Sequence, residues 1–219
     1  MYLPPAFREE RLEVLHAALR ELAFASLVTH GPEGLDASHI PLHLLPQPAP
    51  WGSLIGHVAR ANPQWRRAQS PLPALAMFLG PHAYVSPDWY PNKHATGKDV
   101  PTWNYIAVHV HGTLELIDDP AAVRDMLERL TDQHEAARPR PWHVGDAPAD
   151  YIDQQQRHIV GLRLTITRLE GKWKLSQNRA AADREGARAG LAASARERER
   201  EVAAAMAQVS RPPRPIDAG

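Results

Sequence analysis

Cysteine is absent from all 219 residues. That single absence excludes disulfides, thiolate nucleophiles and Cys-ligated metals. Net charge is absent too: Lys plus Arg and Asp plus Glu stand at 25 each, so the overall balance advertises neither nucleic acid nor an anionic membrane as partner. Long apolar runs are missing. No window approaches the about 18 residues of a membrane span, and MYLPPAFREERLEVL at the start has no apolar core of a secretory leader. A cytoplasmic protein with no membrane contact is the expectation. GxSxG, a P-loop, HExxH and a GxGxxG following a first strand are all lacking, so no residue is assigned a catalytic role.

What the chain does have is concentrated between Gly80 and Tyr105, GPHAYVSPDWYPNKHATGKDVPTWNY. Tyr84, Trp89, Tyr90, Trp103 and Tyr105 share this stretch with four prolines and two lysines. It is too broken for a core element and too aromatic for an ordinary surface loop. It reads as the wall of a site.

Around it the periodicity predicts a mainly β protein with peripheral helices. Leu12, Leu15, Leu19 and Leu22 give residues 8–22 an apolar helical face. AFASLVTH and LDASHIPLHLL flank the turn Gly31-Pro32-Glu33-Gly34 as a hairpin, and SLIGHVA is a third strand leading into the short segment Arg60–Ala68. ALAMFLG (74–80) is a buried strand, and WNYIAVHVHGTLELI (103–117) is a long one that Gly112 can bend. Asp119-Pro120 opens a helix with Val123, Met126, Leu127 and Leu130 on its apolar face. Residues 149–160 form a further helix, and two short strands flank Gly171. Six or seven short strands with few helices argue for a barrel or curled sheet over alternating βαβ units. The domain expectation is 1–177 as the barrel and 178–219 as an Ala/Arg/Glu helical appendage, mostly solvated, with a Pro-rich tail.

Four concentrations of polar chemistry invite a functional reading. His39 with His43, and His109 with His111, lie on predicted strands, but no acidic residue or third histidine accompanies them at a recognisable spacing; they read as polar strand faces, and no metal ligand is assigned. His57-Val58-Ala59-Arg60-Ala61-Asn62-Pro63 sets a histidine and an arginine at a strand end before a capping Asn-Pro, which suits an anion or merely a capped turn. Lys98, Thr102, Trp103 and Asn104 offer a stacking face, an amide and a cation, which suits a flat heteroaromatic ligand or a loop pinned by its own aromatics. LEGKWKLSQN (169–178) adds Lys172, Lys174, Ser176 and Gln177 beside Trp173.

Taken together, GHVARANPQW, GPHAYVSPDWY, GKDVPTWNYIAVHVHG, LTDQHE and LEGKWKLSQNR closely resemble the PaiB family of FMN-binding negative transcriptional regulators, over about residues 1–191. The resemblance implies an FMN-binding split β-barrel, as in flavin reductases and pyridoxamine phosphate oxidases, forming a homodimer with FMN in the cleft between protomers. By position it implies Ser38, His39, His57, Arg60 and Asn62 near the flavin phosphate. It points to Asn104, with Trp103 beside it, as the contact to the ring, and Lys174 to Gln177 resemble the C-terminal strand by which the partner closes the site. The family's regulatory role is the first functional expectation. A flavin-dependent oxidoreductase is the alternative, and a haem-handling barrel a more distant one. Direct DNA binding finds no support in the residues themselves, because no basic recognition helix is evident and RERERE (196–201) balances its arginines with acids.

Overall fold

The computed structural model describes residues 1–67 and 71–209. Ala68, the end of one expected segment, and the Pro-rich tail from Ser210 lie outside the described residues. The strands are β1 (Arg8–Glu9), β2 (Phe24–Gly31), β3 (Gly34–Pro41), β4 (His43–Leu45), β5 (Ser53–Ala59), β6 (Leu72–Val85), β7 (Thr102–Ile117) and β8 (Ile159–Lys174). They form one eight-stranded sheet in the order β3-β2-β6-β7-β8-β5-β4, with β1 paired to β8. The helices are α1 (Leu12–Leu22), α2 (Gln64–Arg67), α3 (Pro91–Thr96), α4 (Pro120–Glu135), α5 (Ala149–Gln156), α6 (Ala181–Ala192) and α7 (Glu197–Gln208).

Contacts divide the chain into two compact units. The larger comprises residues 12–78 and 109–169. In it, β2 and β3 pair from Phe24↔Pro41 to Gly31↔Gly34, so the expected hairpin closes on a two-residue turn. Alternation on β2 buries Ala25, Leu27 and Thr29. Helix α4 begins as expected, with the Asp119 carboxylate accepting from the Ala122 amide at 2.8 Å and Pro120 in the first turn. Its Val123, Met126 and Leu130 pack with Ile55 of β5. Gly112 permits close approach of β7 to β8, since a Cβ there would lie 2.3 Å from the Thr165 carbonyl oxygen.

The smaller unit comprises residues 1–11, 79–108 and the chain from Glu170 onward. Here the aromatic stretch is more ordered than its prolines suggest. The strand expected to stop at Gly80 runs on through Pro81 to Val85, which a strand tolerates where the missing N–H is not required by the ladder. A short 3₁₀ turn at Pro87–Trp89 and α3 then lead into β7. Gly171 does not divide two strands either, because β8 continues through it to Lys174.

Helices α6 and α7 depart from the solvated appendage expected after residue 177. Ala187, Leu191, Val202, Ala203 and Met206 join Ala83, Val85, Tyr90 and Leu175 in one buried cluster. The charged stretch 196–201 is largely exposed, as its composition predicts, whereas the VAAAM that follows carries the apolar face. Alanine-rich helices bury a narrow stripe of small side chains, so their sequence gives a weak amphipathic signal. Close packing here has a glycine signature: a Cβ at Gly190 would lie 2.4 Å from the Trp89 ring.

Candidate functional site

In the larger unit the residues expected around a phosphate are mostly engaged with one another. The register that pairs Leu27 with Ser38 and Ser26 with His39 places Ser38 Oγ to accept from Asn62 Nδ2 at 2.8 Å, and Ser26 Oγ 2.9 Å from His39 Nδ1. Asn62 Oδ1 caps the start of α2 by accepting from the Gln64 amide at 2.9 Å. Gln64, buried and absent from the sequence expectation, donates through Nε2 to the Leu27 carbonyl, the Thr29 hydroxyl and the Asp36 carbonyl. The void beside it is about 10 Å³, lined by Thr29, Val58, Trp65 and Leu162 among others, which is room for one water and no ligand.

Arg60 is occupied as well. Nε donates to the Arg157 carbonyl at 3.0 Å, and Nη2 to the Ile159 carbonyl at 2.9 Å and to Asp118 Oδ1 at 2.7 Å. Its guanidinium also lies 5.9 Å from the Trp65 ring centroid, and Trp65 Nε1 donates to the Arg60 carbonyl. These contacts fasten the end of β5 to the start of β8. His57 alone in this group keeps a buried ring nitrogen, Nδ1, without a partner among the described residues.

Burial holds the His57 pKa below its usual 6.5. In the unfolded chain the ring takes up its proton near 6.5, so at lower pH the unfolded state binds the extra proton first. This contribution to stability is therefore full above pH 6.5 and is lost as pH falls from there through the folded pKa. Denaturant melts of wild type and His57→Gln between about pH 7.5 and 5 check this. The wild type is expected to lose stability more steeply than the variant.

The smaller unit gathers the other expected residues along the start of β7 and the end of β8. Lys174 Nζ donates to Thr102 Oγ1 at 2.5 Å and also to the Trp103 carbonyl. Asn104 is 1% exposed and faces inward: its Nδ2 donates to Ser176 Oγ at 2.9 Å and lies 3.5 Å from Met206 Sδ of α7. Ser176 holds the left-handed conformation at φ 65° to make this contact, a cost that a buried hydrogen bond offsets. Gln177 closes the same turn, accepting from the Leu175 amide at 2.7 Å and donating to the Trp173 carbonyl. Lys98 is exposed, and the neighbouring Asp99 pairs with Arg179 at 2.5 Å.

Alternation on the strands puts Trp103 on the opposite face from Asn104, with Tyr105. Trp103 is 53% exposed and Tyr84 45%. The Trp103 ring stacks on His82 at 6.4 Å and meets Tyr84 edge-on at 6.3 Å. Trp103 and Tyr84 thus present an uncovered aromatic surface. Lys172, which is 7% exposed, lies 5.3 Å from the Tyr105 ring and 5.4 Å from that of Tyr2, and donates to the Tyr2 carbonyl at 3.0 Å. Burial first, then Lys172 and Arg179, hold the Lys174 pKa below its usual 10.5. Lys172 was legible only as one of two alternating lysines in GKWK; nothing in the spacing shows its burial. A cleft of about 510 Å³ between α6 and α7 is lined by Arg179, Arg184 and Arg188, but the first pairs with Asp99, the second with the Met206 and Val209 carbonyls and the third with Glu185.

An antiparallel sheet of this order, flanked by helices, is that of the flavin-binding split β-barrels. In overall fold the chain is similar to the FAD- and haem-binding protein of Mycobacterium smegmatis (TM-score 0.55, 18% identity, 76% of this chain and 73% of that one). It is likewise similar to a flavocytochrome of Azotobacter vinelandii (TM-score 0.55, 14% identity, 76% and 69%). Residues 1–168 match the family described as "Putative FMN-binding domain", and the chain belongs to that family. Protease synthase and sporulation protein PAI 2 of Bacillus subtilis is 31% identical over 179 residues, covering 82% of this chain and 83% of the Bacillus protein. An uncharacterized Aspergillus fumigatus protein is 35% identical over 231 residues, covering 85% and 88%. The PaiB resemblance carried by the five motifs therefore holds. No helix among the described residues is long and apolar enough to cross a membrane.

Proposed function

We propose that this chain is a cytoplasmic homodimer that binds FMN against the Trp103 face and acts as a flavin-responsive transcriptional regulator. The observation that carries the binding reading is the cluster of half-buried His82 with exposed Tyr84 and Trp103, beside two lysines on β8. These residues fit the group: a flat tricyclic ring wants an aromatic surface, and a ribityl phosphate wants cations and hydroxyls. A second copy of the chain is the proposed cover for the remainder of this face.

Bound FMN would supply hydride and one-electron chemistry. The chain's own residues orient it: Lys174 fixes the entry of β7 through Thr102 and the Trp103 carbonyl, and Ser176 with Met206 locks Asn104 behind the aromatic face. The regulatory reading is supported by the resemblance to PaiB and by the name of the Bacillus relative, which refers to protease synthesis and sporulation.

A flavin-dependent oxidoreductase is the second reading. It is favoured by the exposed start of α7, where Arg196, Arg198 and Arg200 alternate with glutamates and form no basic stripe. Two assays on the FMN-loaded protein separate the readings. A regulator is expected to shift operator DNA with an affinity that survives physiological salt and to oxidise NAD(P)H only slowly. Rapid NAD(P)H turnover with a shift confined to low salt gives the oxidoreductase instead.

A further inference from the structure

We infer that Lys172 and Lys174 form the subsite for the phosphate of the flavin, a role that rests on the FMN-binding reading above. Both lie on the last turn of pleat in β8, two residues apart and thus on one side of the strand. Neither has a carboxylate partner among the described residues. Lys172 is held by one carbonyl oxygen and two aromatic rings, and Lys174 by one hydroxyl and one carbonyl. The acidic groups of the same unit nearby are spoken for: Glu170 binds the N-terminal ammonium at 2.5 Å, and Asp99 binds Arg179.

An ammonium group withdrawn from water without a counter-charge is unfavourable, and two of them side by side are more so. Chains keep such an arrangement where an anion arrives to complete it. A phosphate does so with charge-assisted hydrogen bonds from both Nζ groups. Arg60, the cation that the motif order nominates, already binds Asp118 and two carbonyls. The lysine pair therefore supplies the open positive charge.

FMN and riboflavin share the ring and ribityl chain and differ in the phosphate, so the ratio of their affinities isolates this subsite. Wild type, Lys172→Met, Lys174→Met and the double variant are titrated with each flavin by fluorescence. Thermal melts establish that each is folded, and Lys172→Met is expected to fold because an apolar side chain of similar length replaces an uncompensated buried charge. The wild type is expected to prefer FMN, and to lose that preference as salt rises. Lys172→Met is expected to lose about tenfold or more of FMN affinity while riboflavin affinity stays within about twofold, and Lys174→Met, which also releases Thr102 and the Trp103 carbonyl, is expected to lose FMN affinity by a larger factor than riboflavin affinity. An unchanged FMN-to-riboflavin ratio in the folded double variant overturns the phosphate assignment and leaves flavin binding intact. Failure of the wild type to bind either flavin overturns the underlying reading instead.

Discussion

Leu191→Ala is expected to destabilise the protein by about 2–5 kcal/mol, the range for deleting a buried leucine without collapse of the space it leaves. Leu191 is fully buried on α6, in the cluster that holds Val85, Tyr90, Leu175, Val202 and Met206. The surroundings have little freedom to close in: Gly190 is already against the Trp89 ring, and the Asp183 carboxylate ties α6 to α3 by accepting from the Asn92 amide at 3.0 Å and from its Nδ2 at 2.8 Å. A solvated appendage would respond quite differently, within about 0.5 kcal/mol. Urea denaturation of wild type and variant distinguishes the two, and a shift in midpoint at constant slope reports stability alone. The loss also bears on function, since Met206 of the same cluster backs Asn104 at the start of β7.

Trp103→Ala is expected to weaken FMN by about 1–3 kcal/mol, roughly 5- to 150-fold, on the scale of aromatic stacking against a flat heterocycle. Because the ring is more than half exposed, its removal is expected to change folding stability little. That separation makes the variant informative: flavin affinity falls while the melt does not. Trp51→Ala serves as the control, being an exposed tryptophan of the other unit. Fluorescence titration gives both affinities. Equal affinities for Trp103→Ala and wild type would remove this face from the site.

The fold was legible where one face of an element is buried and the other is not. The hairpin of AFASLVTH and LDASHIPLHLL about the Gly31–Gly34 turn and the Asp119-Pro120 helix start each reached the structure as read. Legibility failed where small or punctuating residues decide the outcome. Pro81 and Gly171 look like breaks and lie inside strands, because a strand tolerates either when its neighbours are already paired. The Ala-rich α7 looks solvated and buries Val202, Ala203 and Met206.

The candidate site divides along similar lines. Thr102, Trp103 and Lys174 were nominated from sequence and lie together, as do Ser38 and Asn62. What the sequence could not convey is how much hydrogen-bonding capacity is left over. Arg60 looks available in HVARANP and is engaged by carbonyls of Arg157 and Ile159, about a hundred residues away in sequence. Asn104 looks like a ring contact, and alternation turns it inward to Ser176. Lys172 looks solvated, and its burial between Tyr2 and Tyr105 depends on the N-terminal segment returning beside β8. Such long-range pairings leave no local trace.

The most direct test of flavin binding on this face is the visible absorbance spectrum of the purified protein, taken before and after saturation with FMN and removal of the excess. Flavin bands that remain with the protein after the excess is removed, at one FMN per chain, are the predicted result. A protein that retains no flavin absorbance after loading, or that carries a haem Soret band in its place, would contradict it.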